Sequence, residues 1–259
     1  MRIGVCIKEV LDTNCSIRLN LSNNRVVTEG QKHIINPYDE FALEEALRLK
    51  EKNSDVEVIT FTIGPERARE SIYSALAVGA DKALHVVVED GLLIDSLGIA
   101  VIIQKLIEKE KIDMLLLGKQ STDYSSHEVG PMVAGLLGWA QAMGVNKLEI
   151  NMESVLVSRE TEESNIEIIK LNKSCIVGVT KGINVPRYAT LKGIMSARKK
   201  DITRLQVEDL GLNNTELTGL EIEKIFYPAE KGNCRLIEGE PKEAAAELIR
   251  ILKFEERLL

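Results

Sequence analysis

Short apolar runs alternate with amphipathic segments through the first half of the chain. The runs carry few or no charges, as strands buried on both faces of a parallel sheet do; they are Ile3–Ile7, Val56–Thr62, Ala83–Val88 and Met114–Leu117. Between them, apolar residues recur at helical spacing, which predicts helices at about 37–50, 66–78 and 95–108. This order predicts an α/β fold, a doubly wound and mostly parallel sheet with helices on both faces.

Two local signals add detail to this pattern. Asn36 and Pro37 predict the start of the first helix, with the asparagine side chain as its cap and proline at its first position. Apolar segments at 17–21 and 25–28 flank the sequence Ser-Asn-Asn, which predicts a hairpin.

The pattern changes beyond Trp139. An antiparallel strand pair and a further apolar strand that joins the main sheet are predicted at 155–157, 166–171 and 175–180. The chain is then polar until a terminal helix at about 241–254. We therefore expect an α/β domain with a small antiparallel appendage over residues 1–200, and a C-terminal arm over 201–259 that packs on a partner.

The stretch from Asp113 to Trp139 carries the candidate chemistry. Its strand ends at Gly118, where backbone can approach another group because there is no Cβ. A hydroxyl-rich loop follows, and a helix is predicted from Val129, with Met132, Val133, Leu136 and Leu137 on one face. Strand, glycine turn and helix start together favour phosphate binding by backbone N–H groups and the helix dipole. The alternative is an ordinary strand-to-helix loop with a serine-rich cap.

Composition and charge exclude several classes of function. A net charge of −7 argues against general nucleic-acid binding, which needs a cationic surface. The four cysteines are scattered without a C-x-x-C pair, so we expect reduced thiols rather than disulfides or zinc ligands. There is no signal-peptide pattern, and no apolar run approaches the roughly 20 residues of a membrane span. These features predict a soluble, cytoplasmic protein without membrane insertion.

The common catalytic and nucleotide motifs are missing from the sequence. There is no G-x-G-x-x-G fingerprint, Walker A sequence or G-x-S-x-G elbow. His127-Glu128 does not begin an H-E-x-x-H helix, because Pro131 stands where the second histidine would be. The sequence thus predicts a binder or carrier of a ready-made cofactor that performs the chemistry itself.

Five segments in order carry a resemblance to a known family. They are Asn36–Glu40 with Ala42–Ala46, Gly64-Pro65, Ala75–Asp81, Leu117–Gln120 with Asp123, and Pro186–Leu191 with Ile194-Met195. Together they resemble the beta subunits of electron-transfer flavoproteins over nearly the whole chain.

The resemblance implies a heterodimer with a larger alpha subunit. That subunit would hold most of the redox FAD, while this chain would form part of the wall near the flavin ring. This chain would also bind its own adenine nucleotide, either AMP or, in the electron-bifurcating branch, a second FAD. The implied nucleotide pocket consists of Cys6, Asn36, Pro37, Tyr38, Asp39, Ile63, Gly118, Lys119, Gln120, Asp123, Ser125, Ser126, His127, Glu128 and Val129.

A second implied site is a loop that docks on an acyl-CoA dehydrogenase-type flavoenzyme. Leu191 matches the family's anchoring leucine, a basic run follows it at 198–200, and the neighbouring residues of the loop are Arg187, Tyr188, Ile194 and Met195. The alternatives are a leucine in the local core and a basic run that is only a solvated face. Asn184-Val185 and Lys192-Gly193 depart from the family pattern, which leaves the docking partner open.

The implied function is electron transfer through FAD, without catalytic side chains of this chain's own. Thr13 stands where the family's housekeeping branch, the one that carries AMP, has a tyrosine near the flavin. Val129-Gly130-Pro131 resembles the bifurcating branch, in which NADH-dependent oxidoreductase activity would be expected, whereas residues 124–128 follow neither branch. One rival is a stand-alone adenine-nucleotide sensor similar to universal stress proteins, which share this kind of sheet. Another is an ATP-cleaving ligase, against which the missing S-G-G-x-D-S loop argues.

Overall fold

The computed structural model describes residues 1–151, 154–200, 202–213, 217–229 and 234–259. The strands are β1 (Arg2–Cys6), β2 (Glu9–Leu11), β3 (Leu19–Asn20), β4 (Arg25–Val26), β5 (His33–Ile35), β6 (Glu57–Gly64), β7 (Lys82–Val87), β8 (Met114–Gly118), β9 (Ala140–Ile150), β10 (Val155–Glu160), β11 (Ile166–Leu171), β12 (Cys175–Val179) and β13 (Ile202–Leu205). The helices are α1 (Pro37–Lys52), α2 (Arg69–Val78), α3 (Ser96–Glu110), α4 (Val129–Leu137), α5 (Leu191–Ala197) and α6 (Pro241–Arg250).

Nine strands form one mixed sheet in the order β11-β10-β9-β12-β8-β1-β6-β7-β13. In the part of the sheet from β9 through β12, β8, β1, β6 and β7 to β13, neighbouring strands run parallel. At the other end, β10 is antiparallel to both of its neighbours, β9 and β11. The predicted α/β fold is confirmed, and its antiparallel appendage is the outer part of the main sheet. The predicted hairpin is present as the short pair β3-β4.

Helices cover both faces of the sheet, which explains why the sequence of β8 carries no charge. Met114 and Leu116 belong to the core that also contains α1 and α2 residues, whereas Leu115 and Leu117 belong to the core with α3 and α4 residues. Successive side chains of a strand point to opposite faces, so all of β8 is buried. The uncharged run therefore follows from cover on both sides.

Three features differ from the sequence predictions. β9 was not predicted, because only some of its positions are buried and Gly144 interrupts it with a φ of 74°. β13 was not predicted either, and it pairs with β7 at the edge of the sheet. Leu136 was predicted to share one face of α4 with Val133, yet Val133 is buried and Leu136 is exposed, since it lies off the buried stripe of Gly130, Val133 and Ala134.

The first part of the C-terminal region packs on the chain itself. Gly219 N donates to Asp95 Oδ2 at 2.6 Å, and Leu19 N donates to the Tyr227 hydroxyl at 2.9 Å. By contrast, none of the described residues of α6 is buried, and its Leu248 and Ile249 are exposed. The division at residue 200 and the packing of the arm on a partner stay predictions. Within the described ranges, the helices lack the length and apolar character that crossing a membrane requires.

Candidate functional site

The residues predicted to form the nucleotide pocket meet at one edge of the sheet. β8, β1 and β6 are neighbours, so Gly118, Cys6 and Ile63 lie at or next to the carboxyl ends of adjacent parallel strands. The start of α1 approaches the same edge, and the loop of residues 119–128 continues from β8 into α4. In open α/β sheets this edge is where ligands bind.

Gly118 is the point of closest approach between β8 and α1. Its N–H donates to Asp39 Oδ1 at 3.0 Å. A Cβ at residue 118 would lie 2.5 Å from Asp39 Oδ1 and 2.6 Å from Tyr38 Cβ. The sequence prediction of a close backbone approach at Gly118 is therefore confirmed, and the approaching group is the first turn of α1.

Asn36 takes the predicted position but not the predicted contact. It is the N-cap residue of α1 with Pro37 at the helix start, yet its side chain makes no capping hydrogen bond. Instead, Asn36 Nδ2 donates to Gln120 O at 2.9 Å, and Thr122 N donates to Asn36 Oδ1 at 3.2 Å. The prediction of a side-chain cap was wrong, because the buried amide binds the loop after β8.

The second half of the 119–128 loop opens to solvent. Its residues 123–128 are exposed, and Ser125 and His127 have φ values of 51° and 59°. Ser125 N is already used, since it donates to Ser121 O at 3.0 Å. Among the described residues, no hydrogen bond is seen for the N–H groups of residues 126–128, which precede the N-terminus of α4. This segment can accept an anion through its backbone.

Lys8 belongs to the site but was not predicted as a site residue. It follows β1, and its Nζ donates to Ser121 Oγ at 3.3 Å and to Asp123 Oδ1 at 2.8 Å. The same ammonium lies 4.6 Å from the centre of the Tyr124 ring. The sequence carried a usable signal, because Lys8 is the first charged residue after the first predicted strand and must lie at its carboxyl end.

Burial sets the protonation of two groups at the strand ends. It raises the pKa of Asp39 to about 7, although hydrogen bonds from Lys8 N and Gly118 N oppose this shift. Burial, together with the nearby Asp39 carboxyl, also raises the pKa of the Cys6 thiol. Cys6 therefore presents a neutral wall rather than a nucleophilic thiolate.

The raised Asp39 pKa predicts a specific pH dependence of stability. The folded chain binds this proton more tightly than the unfolded chain, whose aspartates have a pKa near 3.9, so stability falls as the pH rises from about 4 to about 7. Between pH 5 and pH 7, Asp39 should contribute a decrease on the order of 2 kcal/mol in the free energy of unfolding. Urea unfolding of the wild type and of Asp39→Asn across this range measures it, and an identical pH slope in the two proteins would contradict it.

The loop of residues 183–190 and α5 present an exposed apolar surface, which we call the docking loop. Leu191 is 82% exposed, Tyr188 95% and Met195 69%, while Ile194 is also exposed. The alternative that Leu191 lies in a local core is wrong. Thr190 caps α5 by accepting from Gly193 N at 3.1 Å, which fixes the helix that carries the leucine.

The docking loop is fastened to α1 by buried polar groups. Arg187 Nε donates to Glu44 Oε2 at 2.7 Å, and Asn184 Nδ2 donates to Glu45 Oε2 at 3.0 Å. Arg187 thus turns toward its own chain, in contrast to Tyr188 and Leu191. The basic run divides in a similar way, because Lys200 Nζ donates to Ala80 O whereas residues 198 and 199 are exposed.

A sequence model of the electron transfer flavoprotein domain matches residues 24–210. The chain is 41% identical over 218 residues to electron transfer flavoprotein subunit beta of Mus musculus, covering 83% of this chain and 85% of that protein. It is 38% identical to the same subunit of Bradyrhizobium diazoefficiens and 33% identical to that of Bacillus subtilis, in both cases over the full length of each protein. The chain therefore belongs to the electron transfer flavoprotein family, among its beta subunits.

Proposed function

We propose that this chain forms a cytoplasmic heterodimer with an electron-transfer flavoprotein alpha subunit. The heterodimer carries electrons through FAD from an acyl-CoA dehydrogenase-type flavoenzyme to a quinone- or ferredoxin-linked acceptor. The chain also binds an adenine nucleotide of its own, AMP or a second FAD. The observation that supports this most directly is the convergence of strand ends, unpaired loop amides and the start of α4 at one edge of the sheet.

The residues at this edge fit a nucleotide phosphate. Residues 126–128 supply backbone donors, and Gly118 leaves room for close approach of the α1 start. Lys8 and Lys119 are the nearby cations, and Lys119 Nζ lies 5.6 Å from the centre of the Tyr38 ring. Glu128 is exposed and makes no capping hydrogen bond, so its carboxylate can turn away from an anion.

In electron transfer, this chain encloses part of the FAD and docks on the dehydrogenase. FAD supplies the redox chemistry when bound, and this chain contributes a wall rather than a reacting side chain. The exposed apolar residues of α6 offer a surface for the alpha subunit, including Leu248 and Ile249. The docking loop offers Leu191 and Tyr188 to the dehydrogenase. A stand-alone nucleotide sensor would need neither of these surfaces.

The nucleotide content of the purified heterodimer tests this proposal. We expect heating to release either one FAD with one AMP, or two FAD, per heterodimer, and chromatography with absorbance detection to quantify them. AMP would indicate the housekeeping branch. Two FAD would indicate the bifurcating branch, which Val129-Gly130-Pro131 resembles. One FAD with no further nucleotide would contradict the pocket, and a chain that purifies alone without flavin would support the stand-alone sensor instead.

A further inference from the structure

Two buried polar side chains at the start of α1 are hydrogen-bonded to their own chain. Asn36 is 1% exposed and Asp39 is 5% exposed. Both lie at the carboxyl edge of the sheet, where the proposed nucleotide pocket would place them against the ligand. Buried polar groups normally satisfy their hydrogen bonds, so the partners of these two side chains show what they do.

The side-chain amide of Asn36 binds the loop after β8. One Nδ2 hydrogen goes to Gln120 O at 2.9 Å, and Oδ1 accepts from Thr122 N at 3.2 Å. Both ends of the amide therefore bind the loop, and at 1% exposure the side chain is covered by its own chain.

Asp39 ties two strand ends together. Its Oδ2 accepts from Lys8 N at 2.8 Å, just beyond β1, and its Oδ1 accepts from Gly118 N at 3.0 Å, at the end of β8. The two side chains therefore fix the positions of Lys8, Gly118, Gln120 and Thr122 relative to the start of α1.

This fixed segment continues into the amides that face outward. Ser125 N donates to Ser121 O at 3.0 Å, and Gln120 Nε2 donates to Ser125 Oγ at 3.3 Å. Residues 126–128 follow directly, and their backbone donors are the ones proposed to meet phosphate. Movement of Gln120 or Thr122 would thus displace those donors through Ser121 and Ser125.

We propose that Asn36 and Asp39 are positioning residues that hold the loop of residues 118–128 in its phosphate-binding shape and do not themselves contact the nucleotide. This inference rests on the proposed nucleotide pocket and goes beyond it, because it assigns an indirect role to side chains that the family pocket includes. It predicts that their loss weakens binding of the phosphate far more than binding of the nucleoside.

The test compares AMP with adenosine on heterodimer stripped of its nucleotide, by isothermal titration calorimetry. We expect Asn36→Ala to weaken AMP binding about 10-fold or more, as the loss of a buried hydrogen-bonded pair would, and adenosine binding by less than about 3-fold. Asn36→Asp keeps the acceptor for Thr122 N but loses the donor to Gln120 O, and should fall between Asn36→Ala and wild type for AMP. Asp39→Asn should show the same preference for weakening AMP.

Asn184→Ala is the matched control. Asn184 is also a buried asparagine that binds α1, through Phe41 O at 3.0 Å and Glu45 Oε2 at 3.0 Å, and both of these partners belong to α1 rather than to the 118–128 loop. We expect its AMP affinity to stay within about 2-fold of wild type, since the loop amides are untouched.

Three results would overturn the inference. Equal losses for adenosine and AMP would mean that Asn36 contacts the nucleoside directly, and no loss for either would mean that it positions nothing. If the variants fail to fold, hydrogen exchange on the wild-type heterodimer decides, because slow exchange of Gly118 and Thr122 N–H without nucleotide is expected and fast exchange contradicts the role. A wild type that binds neither AMP, FAD nor adenosine would refute the pocket itself, an outcome distinct from the other three.

Discussion

Gly118→Ala is expected to disrupt the carboxyl edge of the sheet. The new Cβ would lie 2.5 Å from Asp39 Oδ1, 2.6 Å from Tyr38 Cβ and 2.8 Å from the Tyr38 carbonyl carbon. Two of these three atoms cannot swing away, because Tyr38 Cβ and its carbonyl carbon are fixed to the backbone of α1. β8 and α1 must therefore separate, and overpacking of this kind typically costs about 1–3 kcal/mol or more.

The same displacement should empty the proposed nucleotide pocket. Separation of β8 from α1 would break the hydrogen bond from Gly118 N to Asp39 and shift the loop that follows. We expect the purified variant to unfold at lower urea concentration and to retain much less nucleotide, measured by the urea midpoint and by nucleotide released on heating.

Gly135→Ala is the control for introducing a methyl group near the site. Gly135 lies in α4, and a Cβ there would meet nothing within 4 Å. Alanine is favoured over glycine inside a helix by about 1 kcal/mol, so this variant should be as stable as wild type or more so and keep its nucleotide. Wild-type stability and nucleotide content in Gly118→Ala would show that the edge is more deformable than these distances imply.

The sheet could be predicted because its strands are marked by local sequence. β1, β6, β7, β8 and β12 are uncharged or nearly so, since each is covered on both faces. The close approach at Gly118 could also be predicted from local sequence, because a glycine at the end of a strand usually marks a turn or a close contact of the backbone. What approaches it could not be predicted, since Asp39 is distant in sequence.

The undetected features depend on contacts between distant parts of the chain. β9 and β13 are partly exposed strands that form by pairing with β12 and β7, so no apolar run marks them. Asn36 looked like a helix cap because local sequence says so, whereas its partners Gln120 and Thr122 lie more than 80 residues away. The surrounding fold decides which groups a buried amide binds, and the helix-capping preference of asparagine carries no information about that fold.

The exposure of the docking loop could not be predicted from local sequence either. From hydrophobicity alone, Leu191 belongs in a core, and the structure leaves it 82% exposed. The contacts of Arg187 with Glu44 and of Asn184 with Glu45 fasten the loop to α1 and so keep Leu191 on the surface. An exposed leucine on a fastened loop loses little conformational freedom when it binds a partner, which favours a small energetic hot spot.

Leu191→Ala should therefore slow electron transfer from the dehydrogenase without changing the heterodimer itself. A hot-spot side chain contributes about 2 kcal/mol or more to binding, so the second-order rate constant for flavin reduction by an acyl-CoA dehydrogenase should fall at least about 10-fold. Flavin content and thermal midpoint should match wild type, because the leucine has few contacts within its own chain. Stopped-flow absorbance of the flavin at varied dehydrogenase concentration gives the rate constant.

Leu97→Ala separates a docking effect from a general loss of surface apolar area. Leu97 is 51% exposed and lies in the first turn of α3, whose buried residues pack on the face of the sheet opposite to the core that holds Ala197 of α5. Leu97→Ala should leave the rate of flavin reduction unchanged, since Leu97 lies in α3 and not in the docking loop. Equal rates for Leu191→Ala and wild type would reject the docking role, whereas equal slowing by both variants would mean that the dehydrogenase reads apolar surface in general. A decrease confined to Leu191→Ala would follow from the exposure of the leucine together with the ion pair of Arg187 and the hydrogen bond of Asn184 that hold its loop, because this combination gives a partner a rigid apolar anchor.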